Sequence, residues 1–275
     1  MSRPASRRLL IRPGAIGDCI LSFPALEHLA TGDTEIWVPS PVVPLVRFAS
    51  SVKPLASTGL DLVSVGDLPM PPSLEEKLRT FDSIVSWYGA NRAEFREALT
   101  RLGVACEFHR ALPPEEYCGH ATDFFAGQVG APCALIPRIP LTARGHRDAI
   151  VIHPFSGSKR KNWPLASFRE LAENLPYPVE WTAGPDETLS SAIRFANLAD
   201  LAGWIAGAKL YIGNDSGITH LAAACGVKTI ALFGPTAAEI WSPRGNNVKV
   251  LYRNPLDCLP VQEVLTAAKR LLDSS

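Results

Sequence analysis

The chain has 275 residues, 47% of them hydrophobic and 20% charged, which is enough to bury one large core or two ordinary ones. Lysine plus arginine number 27, as do aspartate plus glutamate, so the charge excludes a general binder of nucleic acid. No apolar run approaches the roughly 20 residues of a membrane span, and no signal-peptide core opens the chain, which predicts a cytoplasmic protein. The six cysteines are scattered without C-x-x-C pairs, a spacing typical of reduced thiols.

Apolar stretches of strand length alternate with segments of helical periodicity, a pattern typical of parallel sheets with crossover helices. The predicted strands are RLLIRP, TEIWVP, SIVSWYG, AIVIHPF, PVEWTAG, KLYIGND and KTIALFG, and the predicted helices cover 18–30, 92–102, 165–174, 198–206, 217–225 and 261–272. The proline-rich span 132–148 predicts a domain boundary. The expected fold class is therefore α/β, with doubly wound domains over 1–145 and 146–275 and a ligand cleft at the carboxyl ends of their strands.

The first strand runs into the turn RPGAIGD, which ends in one acid. Gly14 and Gly17 let the backbone bend or approach another molecule closely, and Asp18 stands as the first residue or cap of the next helix. A capping aspartate accepts backbone N–H groups and favours the positive end of the helix. A strand-to-helix turn at this sheet edge also aims the side chain into the cleft, so capping and catalysis are compatible.

The stretch HPFSGSKRKNWP, residues 153–164, follows the first strand of the second half. Ser156, Gly157 and Ser158 offer hydroxyl and backbone donors, and Lys161 is the favoured cation among three basic residues, a combination suited to a phosphate or diphosphate. A solvated basic loop is the plain alternative. The position directly after a strand, where nucleotides usually sit, favours the anion site.

The stretch YIGNDSGITHLAAACG, residues 211–226, turns a corner at Asp215 and starts a helix at Ser216 and Gly217. Such a helix start is a natural anion site. Asp215 or Ser216 could be only a cap, and His220 only a satisfied helix residue. The next strand ends in FGPT, so two consecutive strand ends present small and polar residues to the same edge.

The turn WTAGPDE ends another strand of the second half. It puts Asp186 and Glu187 where a carboxylate could accept hydrogen bonds from ribose hydroxyls. A plain exposed turn fits these residues equally well.

Taken together, in this order and spacing, RPGAIGDCILSFPAL, HPFSGSKRKNWP and IGNDSGITHLAAACGVKTIALFGPT resemble glycosyltransferase family 9, the ADP-heptose:lipopolysaccharide heptosyltransferases and their relatives. The resemblance runs from about residue 8 to the end of the chain. It implies a GT-B fold, in which two Rossmann-like domains face a central cleft. The N-terminal domain would hold the acceptor and the C-terminal domain the nucleotide sugar. It also implies inversion of the anomeric centre without a metal.

The resemblance implies a role for each motif. Asp18 would be the general base that takes the acceptor proton, and Asp215 would be the acid beside the donor sugar, so these two are the expected catalytic residues. The expected donor-binding residues are Ser156, Gly157, Ser158, Lys161, Asp186, Glu187, Ser216, Gly217 and His220. The expected acceptor-binding residues are Arg12, Gly14, Gly17 and Arg92.

The expected function is transfer of a sugar, most simply a heptose from ADP-heptose, to a cell-envelope glycan such as the lipopolysaccharide core. The nucleotide sugar would be a co-substrate, with no other cofactor and no metal. The protein would be a monomer that contacts the inner membrane peripherally. Its C-terminal helix would pack back onto the first domain, although an amphipathic helix that packs on its own domain fits the apolar pattern equally well. Two alternatives remain open, a non-catalytic nucleotide-sugar binder and a nucleotide-sugar epimerase of the same fold.

Overall fold

The structure, a computed structural model, describes residues 6–63, 70–141, 145 and 147–274. The chain forms two compact units. The first comprises the described residues up to Tyr117 together with Phe124–Cys133, and the second comprises Cys118–Asp123 and the described residues from Ala134 onward. The second unit therefore begins earlier in the chain than the predicted boundary at residue 145, because two stretches before that boundary pack with it.

The first unit is built on a parallel sheet of five strands. These are β1 (Arg7–Ile11), β2 (Asp33–Val38), β3 (Ser51–Pro54), β4 (Ser83–Ser86) and β5 (Ala105–Phe108). They lie in the order β3-β2-β1-β4-β5, and Leu10 of β1 stands opposite Ile36 on one side and Val85 on the other. The strand order reverses at β1, so its carboxyl end is the topological switch point, where doubly wound sheets bind ligands.

The helices of the chain up to residue 128 are α1 (Ile16–Leu21), α2 (Phe23–Leu29), α3 (Pro72–Leu78), α4 (Ala93–Thr100) and α5 (Ala121–Gln128). Shorter 3-10 turns cover Ser40–Leu45, Leu55–Ser57 and Leu60–Leu62. The single helix predicted over 18–30 is divided at Ser22, whose hydroxyl donates to the Cys19 carbonyl at 2.7 Å. Pro24 follows in the first turn of α2, and because proline has no N–H, it starts a new helix more readily than it continues one.

The second unit is built on a parallel sheet with the order β10-β9-β8-β6-β7. Its strands are β6 (Ile150–His153), β7 (Val179–Trp181), β8 (Leu210–Asn214), β9 (Thr229–Phe233) and β10 (Val248–Tyr252). His153, the last residue of β6, stands opposite Gly213 near the end of β8. The strand order reverses between β6 and β8, so the turns after these two strands flank the switch point of this sheet.

The helices of the second unit after residue 134 are α6 (Leu165–Asn174), α7 (Leu198–Ala206), α8 (Gly217–Ala224), α9 (Ala238–Trp241) and α10 (Val261–Asp273), with 3-10 turns at Lys159–Lys161 and Leu256–Cys258. The bounds of α6 and α7 are those predicted. Helix α10 packs on α6, where Val264, Leu265 and Ala268 share one core with Phe168 and Leu171. Its apolar stripe thus faces its own unit, as a plain amphipathic helix would, and packing onto the first domain stays a prediction.

The fold class predicted from the sequence, two α/β units with parallel sheets, is confirmed. All seven predicted strands are present, and three further strands, β3, β5 and β10, lie at sheet edges. Each core is made by its sheet and the helices on it, with Leu9, Ile11 and Trp37 in the first and Ile150, Ile152 and Ile212 in the second. Central strands buried on both faces explain why they appear in the sequence as continuous apolar runs.

Candidate active site

Asp18 lies in the turn at the switch point of the first sheet. It is the third residue of α1, so the helix begins two residues before the predicted start, and Ala15 is the cap residue. The Asp18 Oδ2 atom accepts the Ala15 N–H at 3.2 Å, which is the contact that an acid at this position makes in a capping box. Gly14 has a φ of 121°, and a Cβ there would lie 3.3 Å from Asp18 Oδ2, so glycine lets the carboxylate fold over the turn.

Arg12 and Arg92, both predicted acceptor contacts, differ in exposure. Arg12 is fully buried, and its guanidinium donates to Asp18, Ser22 and Ala111, so its contacts are to the chain and not to solvent. Arg92 is half-buried beside α4 and donates to the Val63 carbonyl at 3.0 Å. Gly17 is buried in the first turn of α1.

The turn after β6 is held by its own polar groups. The Ser156 hydroxyl lies 2.7 Å from Asn162 Oδ1 and 2.8 Å from the Ser158 carbonyl, which folds residues 156–162 into a compact loop. Gly157 is exposed, with open space where a Cβ would lie. Lysine and arginine side chains follow in the 3-10 turn. Lys161 Nζ lies 2.8 Å from Asp215 Oδ2, whereas Lys159 and Arg160 line a separate cavity of about 320 Å³.

The turn after β8 is fixed to the turn after β6 by Asn214. Its side chain is fully buried, accepts the Trp163 N–H at 2.9 Å and donates to the Pro154 carbonyl at 2.8 Å. The two loops that flank the switch point are thereby joined by one amide. This explains how Lys161 and Asp215, 54 positions apart in the sequence, meet at the edge of the sheet.

The start of α8 offers donors beside this ion pair. Ser216 is the cap residue of α8, and its hydroxyl accepts the Thr219 N–H at 3.4 Å. The first-turn N–H groups, at Gly217 and the residue after it, have no partner within the helix and point out of its positive end. Asp215 is 7% exposed, so its charge is held close to this helix start and to Lys161.

His220 lies on α8 with its imidazole buried, and no described group bonds its Nδ1. Burial lowers the pKa of His220 to about 4; Asp215 opposes that shift, and His120 and Lys161 add to it. The imidazole is therefore neutral at neutral pH. It supplies a hydrogen-bonding group and no charge next to Asp215.

Sequence reasoning missed His120, which lies in the segment 118–123 of the second unit. Its Nε2 lies 2.9 Å from the Ser242 carbonyl, and its Nδ1 accepts the Thr122 N–H at 3.2 Å, so the neutral ring carries its proton on Nε2. Burial lowers the pKa of His120, and the nearby Arg244 lowers it further. No spacing in the sequence connects this histidine with residues a hundred positions later.

The two neighbouring acids in the turn after β7 have different surroundings. Glu187 Oε2 accepts the Gly184 N–H at 2.6 Å and lies 3.9 Å from Nε2 of His153, whereas Asp186 is exposed. His153 is buried at the end of β6, its Nδ1 donates to the Thr182 carbonyl at 3.1 Å, and burial lowers its pKa. Glu187 is therefore the acid drawn to the sheet edge, and His153 is a neighbour that the sequence did not single out.

The second unit thus brings Lys161, Asp215, Glu187 and the start of α8 to the ends of β6, β7 and β8. Such a set can hold a diphosphate on Lys161 and the α8 N–H groups while Glu187 and Asp215 accept from hydroxyls. Within residues 6–63, 70–141, 145 and 147–274, no group of three or more His, Cys, Asp or Glu side chains could hold a metal ion. In the same ranges, no helix is both long and apolar enough to cross a membrane.

The fold and this site define a protein with two α/β units, one of which places a lysine, two acids and a helix start at the switch point of its sheet. Residues 193–271 match the model of glycosyltransferase family 9 (heptosyltransferase). Lipopolysaccharide heptosyltransferase 3 of Escherichia coli is 29% identical over 167 residues, which cover 47% of this chain and 48% of the relative. The chain is therefore similar to family 9, and the resemblance predicted from its motifs is confirmed. The alignment spans about half the length of this curated relative.

The chain is also similar in fold to solved structures, over almost its whole length. The ADP-heptose lipopolysaccharide heptosyltransferase II of Escherichia coli superimposes with a TM-score of 0.75 at 17% identity, covering 97% of this chain and 98% of the other. The Escherichia coli heptosyltransferase WaaC with ADP gives a TM-score of 0.68 at 17% identity, covering 96% and 99%. These comparisons confirm the predicted GT-B class of fold.

Proposed function

We propose that this chain is an inverting glycosyltransferase that moves a heptose from ADP-heptose to an acceptor of the lipopolysaccharide core. The observation that carries the proposal is the Lys161–Asp215 pair beside the start of α8, at the switch point of the second sheet. A diphosphate leaving group needs a cation and preorganised donors. The match to the family 9 model across 193–271 includes α8, and the relatives that match the chain carry heptosyltransferase names.

In the proposed donor site, the diphosphate lies on Lys161, the α8 N–H groups and the loop of Ser156, Gly157 and Ser158. Glu187 accepts from the ribose hydroxyls because its carboxylate is fixed by the Gly184 N–H, and Asp186 lies farther out. Asp215 accepts from a hydroxyl of the donor sugar. The neutral His220 lines the same pocket without adding positive charge.

In the proposed acceptor site, Asp18 is the general base. Its Oδ2 is used by the Ala15 N–H, and no described group bonds Oδ1, which leaves that oxygen to take the proton of the acceptor hydroxyl. Gly14 and Gly17 keep the turn narrow, and Arg92 contributes positive charge near α4. Attack on the anomeric carbon as the diphosphate departs gives an inverted product.

The proposal is tested by incubating the purified protein with ADP-heptose and a heptose-acceptor lipopolysaccharide core oligosaccharide. We expect a product one heptose larger, with an inverted anomeric centre, and turnover that persists in EDTA. UDP- and GDP-sugars serve as matched donors and should be used more slowly. Donor binding without transfer would favour the non-catalytic binder, and conversion of donor alone to a new sugar would favour the epimerase.

The proposed location follows from the donor. Nucleotide sugars of this kind are cytoplasmic metabolites, and a lipid-linked acceptor lies at the cytoplasmic face of the inner membrane. A monomer that contacts this membrane peripherally meets both substrates. Sedimentation of the protein with and without vesicles that contain the acceptor lipid tests this arrangement, and we expect co-sedimentation only when the acceptor is present.

A further inference from the structure

Arg12 is a buried cation directly behind the Asp18 turn. Its side chain is fully buried, and its guanidinium lies over the Phe125 ring at 4.4 Å. Burial lowers the pKa of Arg12 while Cys19 and Asp18 oppose that effect, and an arginine stays protonated in any such site. A charged group is seldom fully buried without a specific set of partners.

The partners of Arg12 lie at the two ends of α1 and in the loop after β5. The Nε atom donates to the Ser22 hydroxyl at 2.9 Å, one Nη donates to the Ala111 carbonyl at 3.1 Å, and the other donates to the Asp18 carbonyl at 3.1 Å. The planar guanidinium fork satisfies all three acceptors at once. The guanidinium therefore joins the turn after β1, the junction of α1 with α2, and the loop after β5.

Helix α1 needs this support because it has only six residues. A helix of that length is not stable by itself, and the carbonyls in its last turn have no partners within the helix. Arg12 supplies a cation and a second donor to the carbonyl of Asp18 itself, which also accepts the Ser22 N–H at 3.2 Å. The position of the Asp18 backbone, and with it the direction of its carboxylate, is thus set from behind the turn.

We propose that Arg12 is a positioning residue that fixes Asp18 for proton transfer and does not itself contact the acceptor. This inference rests on the proposed function, since it assigns to Asp18 the role of base. A lysine at position 12 keeps the positive charge but has no fork with which to reach three acceptors. The carboxylate would then be free to move by about 1 Å, and a displacement of that size lowers a catalytic rate by up to about 100-fold.

The test is a double-mutant cycle of Arg12→Lys and Asp18→Asn in the transfer assay. We expect Arg12→Lys to lower kcat by about 10- to 100-fold, with the KM for the donor unchanged. In the Asp18→Asn background the same substitution should have almost no further effect, because residues that act through one another are not additive. Full additivity of the two losses, or a normal kcat in Arg12→Lys, would overturn the inference.

Two matched variants separate positioning from general stability. Arg8→Lys removes another guanidinium nearby in the sequence, on β1, which donates to the Ser83 hydroxyl and the Leu29 carbonyl, and should leave kcat unchanged. Ser22→Ala keeps Arg12 and removes one of its acceptors, so it should lower kcat in the same direction but by less. This second variant also serves if Arg12→Lys does not fold.

Hydrogen exchange gives a readout that does not depend on transfer. In Arg12→Lys, the buried amides of Cys19 and Ser22 should exchange about tenfold faster or more, while those of Leu10 and Val85 in the central strands keep their rates. Equal acceleration of all four amides, or none, would overturn the positioning role. A fully active Asp18→Asn variant would instead reject Asp18 as the base, and the exchange data would still decide whether Arg12 holds the turn.

Discussion

At Asp18 the two carboxylate oxygens have different surroundings, which makes its capping and catalytic roles separable. Oδ2 accepts the Ala15 N–H, and the Ala15 side chain offers nothing in return, so only one half of a capping box is present. The structural role therefore needs one oxygen acceptor at this position. Proton transfer needs a carboxylate. An asparagine satisfies the first requirement and fails the second.

We predict that Asp18→Asn lowers the transfer rate by about 10²–10⁴-fold, the usual contribution of a general base. The asparagine side-chain oxygen can still accept the Ala15 N–H, so the melting temperature and donor affinity should be nearly unchanged. Glu27→Gln is the matched control, because it removes one negative charge from an exposed site on α2. Transfer within a few-fold of wild type in Asp18→Asn would assign the base elsewhere, with Asp215 the next candidate.

The basic side chains of the turn after β6 point to different surroundings. Lys161 points to Asp215, and Lys159 faces another cavity. We predict that Lys161→Ala weakens ADP binding by about 1–3 kcal/mol, because a charge-assisted contact is lost and the Asp215 carboxylate then faces the diphosphate alone. Calorimetry should show a Kd about 5- to 150-fold higher. Lys159→Ala is the control, and an equal loss in both variants would place the phosphates outside this pair.

The lowered pKa of His220 predicts that the free energy of unfolding depends on pH. Its folded-state pKa of about 4 is below the ordinary value, so the unfolded chain binds more protons as the pH falls through 6.5 toward 4. The free energy of unfolding should therefore fall by about 2 kcal/mol between pH 7 and pH 5 from this residue. Urea unfolding of wild type and His220→Gln at both pH values isolates the effect, since the glutamine variant should lack it. An unchanged difference between the two proteins would show that His220 is not buried as a neutral ring.

Among the elements, the central strands could be predicted from the sequence, whereas three of the four edge strands, β3, β5 and β10, could not. β1, β6, β8 and β9 are buried on both faces, so their sequences are continuous apolar runs with little ambiguity. β5, with the sequence ACEF, alternates between exposed and half-buried positions at a sheet edge, and four such residues cannot be told from a loop. The break between α1 and α2 was also missed, because it depends on where the Ser22 hydroxyl donates.

The carboxyl ends of β6 and β8 could be predicted to carry the site, but not how their loops are joined. The sequence shows Asn214 only as a corner residue, whereas its buried amide bonds Trp163 and Pro154 of the other loop. That contact depends on the order of strands in the sheet. No local pattern contains it.

We predict that Asn214→Ala destabilises the second unit by about 2–5 kcal/mol. The substitution leaves the Trp163 N–H and the Pro154 carbonyl buried without this partner, and each such group costs about 1–3 kcal/mol. Donor binding should weaken as well, because Lys161 lies on the loop that the amide holds. Asn247→Ala, at an exposed asparagine in the same unit, is the control and should change little. Urea unfolding measures the stability and calorimetry measures the donor affinity. A decrease in the free energy of unfolding below about 0.5 kcal/mol would contradict the proposed role of the Asn214 amide.

Over the whole chain, the division into two units follows contacts that a linear reading does not contain. The proline-rich span 132–148 predicted one boundary, and the last crossing between the units, after Cys133, lies inside it; in addition, 118–123 belongs to the same unit as the residues from Ala134 onward, whereas 124–133 belongs to the other. Asp123 joins the two stretches of the second unit on either side of 124–133, because its Oδ1 accepts the Ala134 N–H at 2.7 Å. The sequence predicted two halves because each has its own apolar runs, but it does not show contacts between distant residues, such as the Asp123–Arg244 pair within the second unit.

Arg244 holds Asp123 through both carboxylate oxygens, at 2.6 and 2.7 Å, and the two side chains are 20% and 27% exposed. A bidentate pair with this much burial should be stronger than a surface pair. We predict a coupling energy of about 1–3 kcal/mol at pH 7 from a double-mutant cycle of Asp123→Asn and Arg244→Gln in urea unfolding. The Arg253–Glu263 pair, which is 47% and 41% exposed, is the control and should couple by less than about 1 kcal/mol.

The direction in which the coupling energy changes with pH provides a second check on the Asp123–Arg244 pair. The hydrogen bonds from Arg244 lower the pKa of Asp123, so the stabilisation is fully present above the ordinary carboxyl pKa of about 4 and is lost as the pH falls through the lower folded value. The coupling should therefore be constant from pH 7 to about 5 and decline only in stronger acid. A coupling near zero at pH 7, or one that grows on acidification, would mean that Asp123 does not fasten the segment 118–123 to the second unit. The attachment would then depend on the hydrogen bond from His120 to the Ser242 carbonyl.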